Sequence, residues 1–212
     1  MRRSFFLLAM MALASSGCIH SPPNYPGAGG DNLDPIKFAA MECPNLSGLF
    51  AGLGELVEGD ASAKQSASRW RLSNVFPFHD ADQAQAVLEA SQSRDGRYLP
   101  PAFVQVQMRD RQISLDLRFD TGKSIQVSSS FEDKRRFVCT GPTGIVSWGG
   151  ASGGGRSEFG PHRSDSVVTL YLDPAGNLIM ERGMQVHMSL RLGHMPTGTA
   201  KYFAIYRFKR IQ

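Results

Sequence analysis

An antiparallel β domain, closed as a barrel or packed as a sandwich of about eight to ten strands with one short helix, is the fold class predicted by this 212-residue sequence. Three observations predict it. Apolar and polar residues alternate with period two: Ile113, Leu115, Leu117 and Phe119 against Gln112, Ser114, Asp116 and Arg118, then Met184, Val186, Met188, Leu190 and Leu192 against Gln185, His187, Ser189 and Arg191. Turn signals separate such runs at short intervals, at 109–110, 120–123, 132–133, 173–177 and 182–183. Helical periodicity stands out in one segment. Short links make the strands a meander, and a long sheet with one polar face must curl shut or pack on a second sheet, because an open edge invites aggregation. Hydrophobic residues at 42% and charged residues at 20% fit an ordinary globular chain.

The elements follow in chain order. Met1 to Arg3 are positive, Ser4 to Leu13 are mostly apolar and Ala14 to Gly17 are small, which is the pattern of a secretory signal over residues 1–17. Its apolar stretch is too short to span a bilayer. Residues 18–41 carry Pro22, Pro23, Pro26, Gly27, Gly29, Gly30 and Pro35 and read as an extended tether, leaving 42–212 as a single β domain. The helix is expected at Ala81 to Ser93. Asp80 and Gln83 supply its start, and Ala84, Val87, Leu88 and Ser91 its packing stripe, set against a sheet or across one end of a barrel. Strands are expected near 102–108, 111–119, 124–131, 135–140, 143–148, 166–173, 177–182, 184–192 and 200–208.

Cys18 follows Ser16-Gly17 directly, and the arrangement resembles the lipobox of bacterial lipoproteins. The resemblance implies that Cys18 is acylated and becomes the mature N-terminus, the alternative being ordinary signal cleavage. Ile19 at the next position implies sorting to the outer membrane, on either its periplasmic or its outer surface. Several acyl chains hold a protein stably, whereas one alone binds marginally. With Cys18 lipidated, Cys43 and Cys139 remain, and an oxidising compartment favours their pairing over two free buried thiols. A bridge closing so long a loop stabilises a fold by about 4 to 5 kcal/mol in the chain-entropy model. Cys43-Pro44-Asn45-Leu46-Ser47-Gly48-Leu49-Phe50 resembles the first strand of a loose class of proteobacterial lipoproteins, which implies no activity. In outline the expected domain resembles lipocalin-like barrels, although the Gly-x-Trp of their first strand is absent.

Candidate chemistry is sparse. Gly150-Ala151-Ser152-Gly153-Gly154 satisfies G-x-S-x-G, with Asp165 or Asp173 and His187 or His194 downstream, which would make Ser152 a hydrolase nucleophile. The elbow needs a helix immediately afterwards, and Gly155 to Pro161 do not start one. The same stretch mimics a phosphate loop with Arg156 where lysine is required. A surface loop is the simpler reading, with Arg156, His162 and Arg163 forming a positive tip able to touch anions such as lipid or glycan. No histidine pair has metal-ligand spacing and no calcium loop occurs. Without Arg2 and Arg3 the chain carries 21 basic against 19 acidic side chains, too small an excess to imply nucleic acid. The expectation is a non-enzymatic lipoprotein anchored at Cys18, without cofactor or metal, that binds or scaffolds an envelope protein or glycan. The alternatives are a carrier of a small apolar ligand and a serine hydrolase using Ser152.

Overall fold

The computed structural model describes residues 38, 40–65, 69–76, 81–132, 137–149, 153–157, 160–189 and 196–211. Twelve strands and two helices occupy them: β1 (Gly48–Ala51), β2 (Leu53–Gly59), α1 (Ala61–Gln65), β3 (Trp70–Arg71), α2 (Ala81–Ser91), β4 (Phe103–Arg109), β5 (Gln112–Arg118), β6 (Ser124–Ser130), β7 (Phe137–Cys139), β8 (Val146–Gly149), β9 (Gly153–Ser157), β10 (Gly160–Leu172), β11 (Leu178–Ser189) and β12 (Pro196–Phe208). A four-stranded antiparallel sheet runs β1-β4-β5-β6. The second sheet runs β3-β2-β12-β11-β10-β8-β7, with β9 paired to β10, and curls into a half-barrel of seven antiparallel strands.

The alternation in sequence becomes the core because register carries it across the ladders. Phe50 pairs with Val104, Val104 with Leu117 and Leu117 with Ile125; Val106 pairs with Leu115 and Leu115 with Val127. In the half-barrel Leu178 pairs with Phe208, and Met180 with both Tyr206 and Leu170. These two inner faces meet in one core that includes Phe50, Val104, Leu115, Leu117, Leu170, Leu178, Met180 and Phe208, with Phe131, Phe137 and Trp148 stacked at one side at centroid distances of 5.0 to 5.9 Å. Burying one such large apolar side chain stabilises a fold by about 1.5 to 3 kcal/mol.

The sheets are joined by one bent segment. β1 belongs to the four-stranded sheet and β2 to the half-barrel, and the chain changes sheet at Gly52. A Cβ at Gly52 would stand 1.9 Å from the Pro101 carbonyl oxygen, so only glycine permits this crossing. On the other side of β1, the Ala51 amide donates to the Lys209 carbonyl at 2.8 Å and the Ile211 amide to the Leu49 carbonyl at 2.8 Å, which seats the C-terminal segment against β1.

Several expectations are corrected. Arg182-Gly183 is no turn: β11 runs through it, because buried Gly183 pairs with Val167 on one side and Phe203 on the other and so continues both ladders. The meander holds for β4-β5-β6 and for β10-β11-β12 but not between them, since β6 and β7 lie in different sheets and β1 and β2 enter beside β4 and β12. The helix rotates its stripe. Val87, Ala90 and Ser91 are buried, while Ala84 and Leu88 are exposed. The reason is its position along the free edge of β6: the Ser128 amide donates to Gln83 Oε1 at 3.0 Å, Thr121 Oγ1 to the Ala90 carbonyl at 3.4 Å and Lys123 Nζ to the Glu89 carbonyl at 2.8 Å. A covered edge cannot recruit another strand.

Cys43 and Cys139 form a disulfide, with Cα atoms 4.7 Å apart. It ties the segment ahead of β1 to β7, the outer strand of the half-barrel, and the Gly141 amide reinforces the junction by donating to the Glu42 carbonyl at 3.0 Å. Cys139 is fully buried.

Candidate functional site

The residues singled out by sequence distribute unevenly. Cys18 and Ser152 lie outside the described residues. Arg156, His162 and Arg163, expected on a loop tip, are instead ladder residues: Arg156 on β9 pairs with Pro161, His162 with Gly155 and Met188, and Arg163 with Gly154 and His187. Glycines do not prevent this hairpin, because β10 supplies the partner and the pairing uses backbone groups alone. Among the described residues no cluster of three metal-ligating side chains occurs, and no helix is long and apolar enough to cross a membrane.

A cleft that sequence reasoning missed lies on the inner face of the half-barrel. Along β11 that face reads Leu178, Met180, Arg182, Met184 and Val186; opposite it β12 presents Phe208, Tyr206, Ala204, Tyr202 and Ala200 in register. The first two pairs close the core. From Arg182 and Ala204 onward the face lines an open cleft of about 440 Å³. Ligand pockets commonly fall between about 300 and 1,000 Å³. Met184, Val186 and Tyr202 line its outer part, and Tyr202 is 40% exposed.

Local structure builds the opposing wall. Asp60 begins α1 as its cap: Oδ1 accepts from the Ala63 amide at 2.9 Å, and Oδ2 accepts from the Phe203 amide of β12 at 2.9 Å. One carboxylate therefore shapes the helix start and pins it to the sheet. Beyond α1 the chain returns in β3, which pairs Trp70 with Gly54. The Trp70 ring lies 5.8 Å from the Tyr206 ring, and the Arg182 guanidinium stacks over it at 4.7 Å from the ring centroid. Such a cation–π contact contributes roughly 0.5 to 2 kcal/mol and restrains the guanidinium.

The hydrogen-bonding state of this corner is unusual. Trp70 Nε1 is buried with no acceptor. Among the described residues no carboxylate pairs with Arg182, and Asp60, the acid that lines the cleft, already accepts from two backbone amides. The cleft, whose lining also holds Asp60 and Ser62, thus presents the Arg182 guanidinium without a carboxylate partner among the described residues. An unsatisfied buried donor costs about 1 to 3 kcal/mol.

A second concavity, about 570 Å³, lies on the outer face of the four-stranded sheet between Gln83 of α2 and the side chains of Gln107, Gln112, Gln126 and Ser128. It is a polar surface with Arg109 as its cation. Gln126 Nε2 donates to Ser114 Oγ at 2.9 Å, so part of its hydrogen-bonding capacity is already used internally.

One sequence signal for the cleft was present. Positions 178, 180, 182, 184 and 186 keep one phase through the supposed turn, so an arginine on the apolar face of a continuous strand could have been read directly. Trp70 had no such signal. Its neighbours lack periodicity, and its place depends on pairing with β2. Comparison with protein-family models, with curated proteins and with solved structures finds no match to this chain.

Proposed function

We propose that this chain is a non-enzymatic envelope lipoprotein, anchored through Cys18 in the outer membrane, whose half-barrel binds a small, largely apolar ligand. The observation that carries the binding role is the 440 Å³ cleft that opens where the inner face of β11 and β12 outruns the core. A pure scaffold has no need of such a space, because its inner face would be filled by its own side chains. The Cys43–Cys139 disulfide supports an exported chain, since such bridges persist in oxidising compartments. Ser152 lies outside the described residues and is not part of this reading.

Two experiments test the parts separately. For the anchor, Cys18→Ala is expected to release the protein from the membrane pellet and to abolish incorporation of labelled palmitate; retention with unchanged mobility overturns it. For the cleft, the full chain in lipid nanodiscs is titrated with octan-1-ol, with empty nanodiscs as reference. Saturable binding that is lost in Val186→Trp, which fills the outer part of the cleft, is the expected result. Octanol uptake equal to that of empty nanodiscs overturns the binding role.

A further inference from the structure

We infer that the cleft is selective for amphipathic anions, binding a carboxylate-type head at Arg182 with the apolar body directed toward the open end. The inference rests on the binding role proposed above and names the ligand class. Four features support it. Arg182 is the charged residue at the boundary where core gives way to cleft, two residues inward of Met184 and four inward of Val186 on the same face of β11. Ala204 stands opposite it and contributes only a methyl group, leaving room beside the guanidinium. The guanidinium lies over Trp70 at 4.7 Å from the ring centroid and is free of ion pairs among the described residues, so its fork of N–H groups remains available for the two oxygens of a carboxylate. The Trp70 ring beneath the guanidinium is itself part of the cleft's lining.

The order of residues sets the orientation. With the cation at the inner end and Met184, Val186 and Tyr202 nearer the opening, a ligand enters head first. Asp60 also lines the cleft, but both of its oxygens already accept from backbone amides, whereas the Arg182 guanidinium has no ion pair among the described residues and is the group left open to a ligand. A neutral hydroxyl can accept a single hydrogen bond from the guanidinium, but not the paired, charge-assisted bonds that a carboxylate accepts. Charge-assisted hydrogen bonds to a carboxylate are about twice as strong as neutral ones.

The test compares octanoate with octan-1-ol on the full chain in nanodiscs by calorimetric titration, again with empty nanodiscs as reference. The wild-type protein is expected to bind octanoate about 10-fold or more tightly than octanol, the order of one charge-assisted hydrogen bond. Arg182→Gln is expected to remove that preference by weakening octanoate binding about 10-fold more than octanol binding, and Arg182→Lys to retain part of it. Equal affinity of the wild type for the two ligands, or an octanoate preference that survives Arg182→Gln, overturns the inference and leaves the apolar cleft standing. Failure of both ligands to bind overturns the cleft and the inference together.

Discussion

Single residues decide how this chain passes between its sheets. Gly52 has the Pro101 carbonyl where a side chain would begin, and backbone on both sides is fixed by the Gly52 amide donating to Ala102 and the Leu72 amide donating to Gly52. Gly52→Ala is expected to lower stability by about 3 kcal/mol, as overpacking against backbone does, measured as a reduced urea midpoint. Asp60 serves two elements at once, so Asp60→Ala should cost about 1 to 2 kcal/mol for the lost cap and weaken octanol binding by loosening α1 over the cleft. An unchanged midpoint would show that the cap is dispensable. Asp173 contributes to the pH dependence of stability. Burial pushes its carboxyl up, but hydrogen bonds from the Asn177 side chain and from the backbone of Asn177 and Ala175 outweigh this and hold it below its ordinary value. A depressed carboxyl stabilises the fold fully above the unfolded value near 3.8, and the contribution disappears as pH falls through the lower folded value. Asp173→Asn should therefore make the fall of the urea midpoint below about pH 4 shallower than in the wild type. Tyr171 moves the other way, its phenol raised by burial and by the Glu181 carboxylate that accepts its proton at 2.8 Å.

At the level of elements, legibility followed how much of an element's environment its own residues encode. β4, β5 and β6 were readable because each buries one face against the core and leaves the other polar, so the alternation is the structure. β9 was unreadable because Gly153, Gly154 and Gly155 offer no pattern and its existence depends on β10. β2 was hidden for a related reason, since its partner β12 lies far away in sequence, and β1 entered only through the resemblance of residues 43–50 to a first strand. α2 was found, but its stripe was displaced because the edge of β6, not apolar spacing alone, sets its rotation. Gln83→Ala removes the acceptor of the Ser128 amide. Amide exchange at Ser128 is expected to accelerate markedly, while exchange in the central strand β5 is preserved; equal rates in mutant and wild type would contradict edge protection by the helix.

For the whole molecule, the disulfide and the bent β1–β2 segment act on the same problem, holding two sheets together at opposite sides of one core. Cys43 and Cys139 are 96 residues apart in sequence, so the bridge constrains the unfolded chain strongly. Replacing both cysteines by alanine is expected to cost about 4 to 5 kcal/mol, read from equilibrium denaturation of oxidised wild type against the variant. The cleft lies on the long strands of the fold: β11 and β12 are 12 and 13 residues long, whereas β4, β5 and β6 are seven each.

The cystine also divides mechanical load. Tension arriving along the chain from ahead of residue 43 meets a fork, one arm leading through the backbone into β1 and the other through sulfur into β7. Traction is therefore shared between both sheets and cannot peel β1 away alone. With the bridge reduced, the full tension falls on β1, and a single-molecule stretching experiment should record rupture at a lower force than in the oxidised protein.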